Sequence, residues 1–387
     1  MMKKFLAFVL AAISGATILM ANNAVETYAE TRLTSGCRSA CLMDANSGQI
    51  VYEENALAHM PIASVCKVMT LTLCFEAIKS GNLNIEDTIM VSERAAGMGG
   101  SQVFLQSGLS YPVGELIKSI IVCSANDSCV ALSEAISGNE EKFVVDMNKT
   151  ATELGCENTL FANCTGLPKA AQYSCAKDVA IMFANLITNN DMYFEYSKIW
   201  LEDFEHPDDR ITTITNTNKL IKKYSYCDGG KTGFTNEAGF CLAATAFKDN
   251  MRLVSVVLGG KTSDDRFNST INLFNYGFAN YINKIVLDCN VNLNDRIVVT
   301  RGKKESVAVK PSRYSYVFCA RDEQPEITFS LITYPVVAPI VKGDEVGKIE
   351  VYKNGVLADT VSVVCAENVE RANFLDNWQK IADKWCL

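Results

Sequence analysis

The chain has 387 residues, 48% hydrophobic and 21% charged, which is enough for one large core and a smaller module and excludes a disordered chain. A formal net charge of -8 excludes the proteins that grip nucleic acid through clustered Lys and Arg, so neither DNA nor RNA is expected as a partner. With two histidines, and no cysteines at zinc-site spacing, no metal is expected either.

Lys3 and Lys4 precede an apolar stretch from Phe5 to Met20 that ends among small residues, the pattern of a secretory signal peptide over residues 1–24. The stretch is shorter than the roughly 20 residues a membrane span needs, so export with cleavage is expected, at Ala21, Ala24 or Ala29. Fifteen cysteines are an odd number for a disulfide framework. Cys74, Cys129 and Cys241 lie in apolar runs where a free thiol packs as a small hydrophobe, which points to a source with little oxygen.

Ala40–Met43 and Gln49–Glu53, joined across Asp44–Gly48, read as a hairpin. A helix follows from Ser64 towards Ser80, entered through Pro61 and stopped at Gly81. Further helices are expected over Val113–Cys123, Ser128–Ile136 and Ala176–Ile187, and strands over Gly239–Phe247 and Arg252–Leu258. From Asn283 short alternating runs imply a small β-rich domain over residues 284–365, with a hairpin turn at Asn354-Gly355. Residues 366–387 return to helical spacing with Phe374, Leu375, Trp378, Ile381 and Trp385 on one face; this helix either lies in a membrane interface or docks on its own protein.

Three motifs carry chemistry. In Ser64-Val65-Cys66-Lys67 the hydroxyl and the amine are one helical turn apart, so a neutral Lys67 can take the Ser64 proton. On its own such a pair is usually a helix cap beside a solvated lysine. Ser124-Ala125-Asn126 lies at the junction of two helices, where its polar side chains either cap or face a cleft. Lys231-Thr232-Gly233 follows Gly229-Gly230 and precedes a strand-like run, which puts a cation and a hydroxyl on a sheet edge with a glycine that permits close approach. Lys231 near Lys67 would oppose its protonation, and burial would lower that pKa further.

These motifs, in this order and at these separations, resemble the signature of penicillin-binding proteins and serine β-lactamases. Pro61-Ile62-Ala63-Ser64, Gly99-Gly100-Ser101-Gln102, Asn126-Asp127-Ser128 and Gly229 to Phe240 resemble more narrowly the low-molecular-mass D-alanyl-D-alanine carboxypeptidases. The likeness implies an α+β fold: a transpeptidase-like domain over residues 30–283, with an antiparallel sheet packed by helices, then the β-rich domain and the amphipathic helix. It also implies a nucleophile at Ser64, a general base at Lys67, a proton relay at Ser124 and a ligand for the substrate amide at Asn126. Lys231, Thr232 and Arg266 would receive the peptide carboxylate, and the backbone N–H groups of Ser64 and Phe234, next to Gly233, would form the oxyanion hole.

The implied reaction removes the terminal D-Ala of cell-wall stem peptides through an acyl-enzyme, outside the cytoplasm, without a cofactor, and β-lactams would acylate the same serine. A serine β-lactamase is one alternative, but no Glu-x-x-Leu-Asn segment precedes the third motif; Asn163-Cys164-Thr165-Gly166-Leu167 resembles the carboxypeptidases instead. A non-catalytic penicillin-binding sensor would have lost Ser64 or Lys67, and both are present. A Ser-His-Asp hydrolase would have to use His59 or His206, neither of which has an elbow motif.

Overall fold

The computed structural model describes residues 32–385, and the signal segment of residues 1–24 lies outside them. Strands β1 (Ser39–Asp44) and β2 (Ile50–Glu54) form the expected hairpin. Far along the chain, β3 (Cys227–Thr235), β4 (Gly239–Lys248) and β5 (Met251–Gly260) complete an antiparallel sheet of order β2-β1-β5-β4-β3. The central strands are buried on both faces, which is why they read as continuous apolar runs. One face carries Cys41, Met43, Val254 and Val256 into the helical layer. The other meets α6 (Ser263–Asn280), where a Cβ on Gly277 would lie 2.5 Å from Leu253 Cδ1, so glycine sets the closeness of helix and sheet.

Between the hairpin and β3 the chain builds the helical layer: α1 (Lys67–Lys79), α2 (Val113–Cys123), α3 (Asn126–Ser137), α4 (Glu140–Glu153) and α5 (Ala176–Asn189). Helix α1 is apolar on nearly every side and packs against all four others, as a helix at the centre of a core must. The expected helix from Ser64 begins differently. Ala63–Cys66 is a turn of 3-10 helix entered at Ala63 with φ +48, and α-geometry starts only at Lys67. In a 3-10 turn residues i and i+3 eclipse, so Lys67 lies directly over Ser64.

From Tyr281 the chain is β-rich. β6 (Tyr281–Leu287) pairs with β9 (Ser315–Ala320), and a six-stranded sheet has the order β10-β12-β13-β8-β7-β11, where β7 is Arg296–Thr300, β8 Ser306–Pro311, β10 Ile327–Thr333, β11 Val336–Val337, β12 Glu345–Lys353 and β13 Val356–Cys365. Its core is mainly valine, including Val307, Val309, Val351, Val361 and Val363. Asn354 and Gly355 both take positive φ in the two-residue turn that pairs Lys353 with Val356.

The last helix, α7 (Phe374–Trp385), starts eight residues later than the expected residue 366, because Val369 and Arg371 form backbone bridges with Ile340 and Gly302. Asn373 and Asp376 bond reciprocally to each other's backbone N–H groups and cap it. Its apolar face is not docked: Phe374, Leu375, Trp378 and Ile381 are all more than half exposed. No helix among the described residues is long and apolar enough to cross a membrane.

Candidate active site

The three motifs meet where the 3-10 turn, the α2–α3 junction and the edge strand β3 converge. Lys67 is fully buried, and its Nζ lies 2.9 Å from Ser64 Oγ, 2.7 Å from Asn126 Oδ1 and 2.6 Å from the Thr165 carbonyl oxygen. Burial holds its pKa below the ordinary lysine range. Lys231 is likewise buried; its Nζ donates to Ser124 Oγ at 2.8 Å and to its neighbour's carbonyl, Thr232 O, at 3.0 Å. Burial pushes its pKa well down, and the nearby Lys67 charge pushes it further. Two Ser–Lys pairs thus stand side by side.

Each side chain is aimed by its element. Ser124 ends α2 in the left-handed conformation, φ +67, an uncommon state for serine that turns the chain sharply into α3. Asn126, the first residue of α3, accepts from Lys67 and donates from Nδ2 to Gly99 O at 2.7 Å, which leaves one N–H and one lone pair for a ligand. In β3, Lys231, Gly233 and Thr235 share one face. A Cβ on Gly233 would lie 3.0 Å from Ser64 N and 2.7 Å from Ile62 O, so glycine lets the strand edge press against the 3-10 turn that carries Ser64.

Thr232 is buried, whereas the Phe234 ring is 52% exposed and leans on Phe240 at 4.4 Å. Arg266 reaches back from α6 to donate to Gly233 O at 3.2 Å and Cys241 O at 3.3 Å, with its guanidinium over the Phe240 and Phe267 rings. Burial lowers its pKa to about 10, and its Nε is buried without a hydrogen-bond partner. All nine expected site residues therefore fall in one region, with Arg266 tied to it through the Gly233 carbonyl.

Some supports carried no signal strong enough to be assigned from sequence. Asp127 receives backbone N–H groups from Val103, Leu105 and Ser128 at 3.0 to 3.3 Å, pinning the 99–105 segment whose Gly99 carbonyl holds Asn126. Asn163 Oδ1 accepts from Thr165 N and Gly166 N, and so forms the turn that presents the Thr165 carbonyl to Lys67. Gly166 has φ +80, and a Cβ there would sit 2.0 Å from Ala63 O. Neither histidine is part of the site: His59 stacks on Tyr173, and His206 meets Tyr111 and Thr212. Cys66 donates to Asn163 O at 3.3 Å and burial pushes its thiol up to about 12; burial pushes that of Cys123 up to about 11, so both are poor nucleophiles.

The family model described as D-alanyl-D-alanine carboxypeptidase matches residues 25–262, and one described as penicillin-binding protein 5, C-terminal domain, matches residues 294–371. The chain is 34% identical over 357 residues to the D-alanyl-D-alanine carboxypeptidase DacF of Bacillus subtilis, an alignment covering 92% of this chain and 91% of that protein. It is 32% identical over 350 residues to DacC of Escherichia coli, covering 87% and 85%. The crystal structure of penicillin binding protein 5 from Haemophilus influenzae superposes with a TM-score of 0.65 at 30% identity, over 87% of this chain and 98% of that one.

Proposed function

The chain belongs to the D-alanyl-D-alanine carboxypeptidase family, and from that premise we propose that it removes the terminal D-Ala from peptidoglycan stem peptides through an ester on Ser64. The surroundings of Lys67 carry the proposal. Two of its three partners, Asn126 Oδ1 and Thr165 O, can only accept. A neutral amine has two N–H bonds, which those acceptors use, and its lone pair then faces the one partner able to donate, the Ser64 hydroxyl. Burial favours that neutral form.

Ser64 Oγ attacks the carbonyl of the penultimate D-Ala while its proton passes to Lys67 Nζ. The N–H groups of Ser64 and Phe234 stabilise the oxyanion, and Gly233 allows the approach this requires. Ser124, held by Lys231, relays that proton from Lys67 to the departing D-Ala amine, which returns Lys67 to its neutral form, and water then hydrolyses the ester. Lys231, Thr232 and Arg266 supply the positive, hydroxyl-bearing end of the cleft for the substrate carboxylate. Asn126 positions Lys67 and offers its remaining N–H and lone pair to the substrate amide.

β-Lactams would acylate the same serine and clear slowly. The segment over Lys67 presents a backbone carbonyl, Thr165 O, and the nearby Glu140 is engaged by Arg94 and Cys164 N, so neither supplies a base poised on a deacylating water. The enzyme would work outside the cytoplasm, and the exposed apolar face of α7 supports peripheral contact with a lipid surface. D-Ala release from diacetyl-Lys-D-Ala-D-Ala, measured with fluorescent-penicillin labelling in wild type and Ser64→Ala, tests the reaction. Both signals are expected to vanish in Ser64→Ala. Rapid turnover of penicillin without D-Ala release would replace this proposal with a β-lactamase.

A further inference from the structure

Beside Ser64 opens a cavity of ≈ 330 Å³, bounded by Ile62 and Ala63, by the 166–172 segment with Lys169, and by Thr235 and Glu237. Strand β3 is the edge of its sheet, hydrogen-bonded to β4 alone, so an extended peptide can add to its open side as a further strand. Under the carboxypeptidase reading above, on which this inference rests, the substrate carboxylate lies at Lys231 and Thr232 and the reacting carbonyl at Ser64 beside Gly233. The peptide then runs antiparallel to β3. Residues preceding the reacting D-Ala advance towards Thr235 and Glu237 at about 3.3 Å each. The residue just before that D-Ala comes level with Thr235, at the mouth of the cavity.

We infer that this cavity is the specificity subsite for that residue's side chain, and that Lys169 and Glu237 select an end bearing both a carboxylate and an amine, as in meso-diaminopimelate, over an end bearing an amine alone, as in lysine. The two side chains supply opposite charges at one rim. Lys169 Nζ donates to Ala162 O at 2.9 Å, which fixes the ammonium while leaving two N–H bonds for a carboxylate. The backbone at Glu237 is held by Arg38, whose Nη2 donates to its carbonyl at 3.1 Å. Both side chains are solvated, so each contributes discrimination of a few-fold rather than a hundredfold.

The test measures kcat/KM for D-Ala release from two peptides that differ only in meso-diaminopimelate or L-lysine before D-Ala-D-Ala. Wild type, Lys169→Ala, Lys169→Arg, Lys169→Glu and Glu237→Gln are compared, each with its rate of labelling by fluorescent penicillin, which has no such side chain. Wild type and Lys169→Arg are expected to favour the diaminopimelate peptide by about fivefold, Lys169→Ala to lose that preference, and Lys169→Glu to lower the ratio by about tenfold. Glu237→Gln slows both peptides by about threefold. A wild-type preference for the lysine peptide, or a ratio unmoved in Lys169→Ala and Lys169→Glu, overturns the subsite but leaves the carboxypeptidase standing. Labelling with no D-Ala release from either peptide overturns the underlying reading instead.

Discussion

Replacing Lys67 separates its chemistry from its structural role, because its three contacts ask different things of the side chain. Asn126 Oδ1 at 2.7 Å and Thr165 O at 2.6 Å need a donor, whereas Ser64 Oγ at 2.9 Å needs an acceptor for its proton. Lys67→Met leaves two buried acceptors unsatisfied, at a cost of about 1–3 kcal/mol each, offset in part because an amine is no longer desolvated. Lys67→Arg keeps donors for both acceptors but stays charged at every working pH, so it cannot take the proton. Loss of a positioned general base costs about 10²–10⁴ in rate, roughly 3–5.5 kcal/mol of transition-state stabilisation. Fluorescent-penicillin acylation followed over a pH series is the assay. In wild type the rate should rise with pH, because only neutral Lys67 is competent, and the rise should be centred below the ordinary lysine pKa because burial disfavours the charged form. Lys67→Arg should be folded by circular dichroism and at least about a hundredfold slower at every pH. A Lys67→Arg protein acylating within tenfold of wild type would refute the assignment of Lys67 as the base.

Gly166→Ala should lower both the melting temperature and the acylation rate, since its Cβ would overlap Ala63 O at 2.0 Å and φ is +80; the expected loss exceeds about 2 kcal/mol by thermal unfolding, and the nucleophile turn moves with it. Asp127→Ala strips three backbone N–H groups of their acceptor and should cost about 2–4 kcal/mol in denaturant unfolding, with slower acylation because Gly99 no longer holds Asn126. Thiol titration of denatured, unreduced protein should count most of the fifteen cysteines as thiols, while the native protein exposes few, since Cys66, Cys74, Cys129, Cys164 and Cys241 are buried free thiols. Truncation after Asn373 removes the exposed face of α7 but spares the bridges of Val369 and Arg371, so it should abolish sedimentation with lipid vesicles without changing D-Ala release.

The central strands and helices α1, α2 and α5 were legible because their burial is written as apolar runs and periodicity, and the boundaries fall within a few residues of expectation. Helix α6 was not read, for a physical reason: Ser263–Asn280 carries four Asn and two Ser, which favour turns over helix, and only the Thr262–Asp265 capping box marks its start. Helix α4 was likewise passed over, its polar residues diluting the apolar stripe of Phe143, Met147 and Ala151.

The site was legible in a different way from the fold. Motif order singled out Ser64, Lys67, Ser124, Asn126 and Lys231 as candidates, and the one-turn spacing set Lys67 against Ser64, but nothing in the spacing gave Lys231 its hydroxyl partner. The structure pairs Lys67 with Ser64 and Lys231 with Ser124, a partition created by backbone conformations no pattern encodes: the 3-10 entry at Ala63 and the left-handed Ser124. The same holds for Thr165, which contributes only its carbonyl, so its side-chain identity gave no reason to place it over Lys67. A backbone oxygen thereby does what a second charged residue would otherwise do. It fixes the amine without favouring its protonated form as strongly as a carboxylate would, which suits a buried lysine to the base role proposed for it rather than to half of an ion pair.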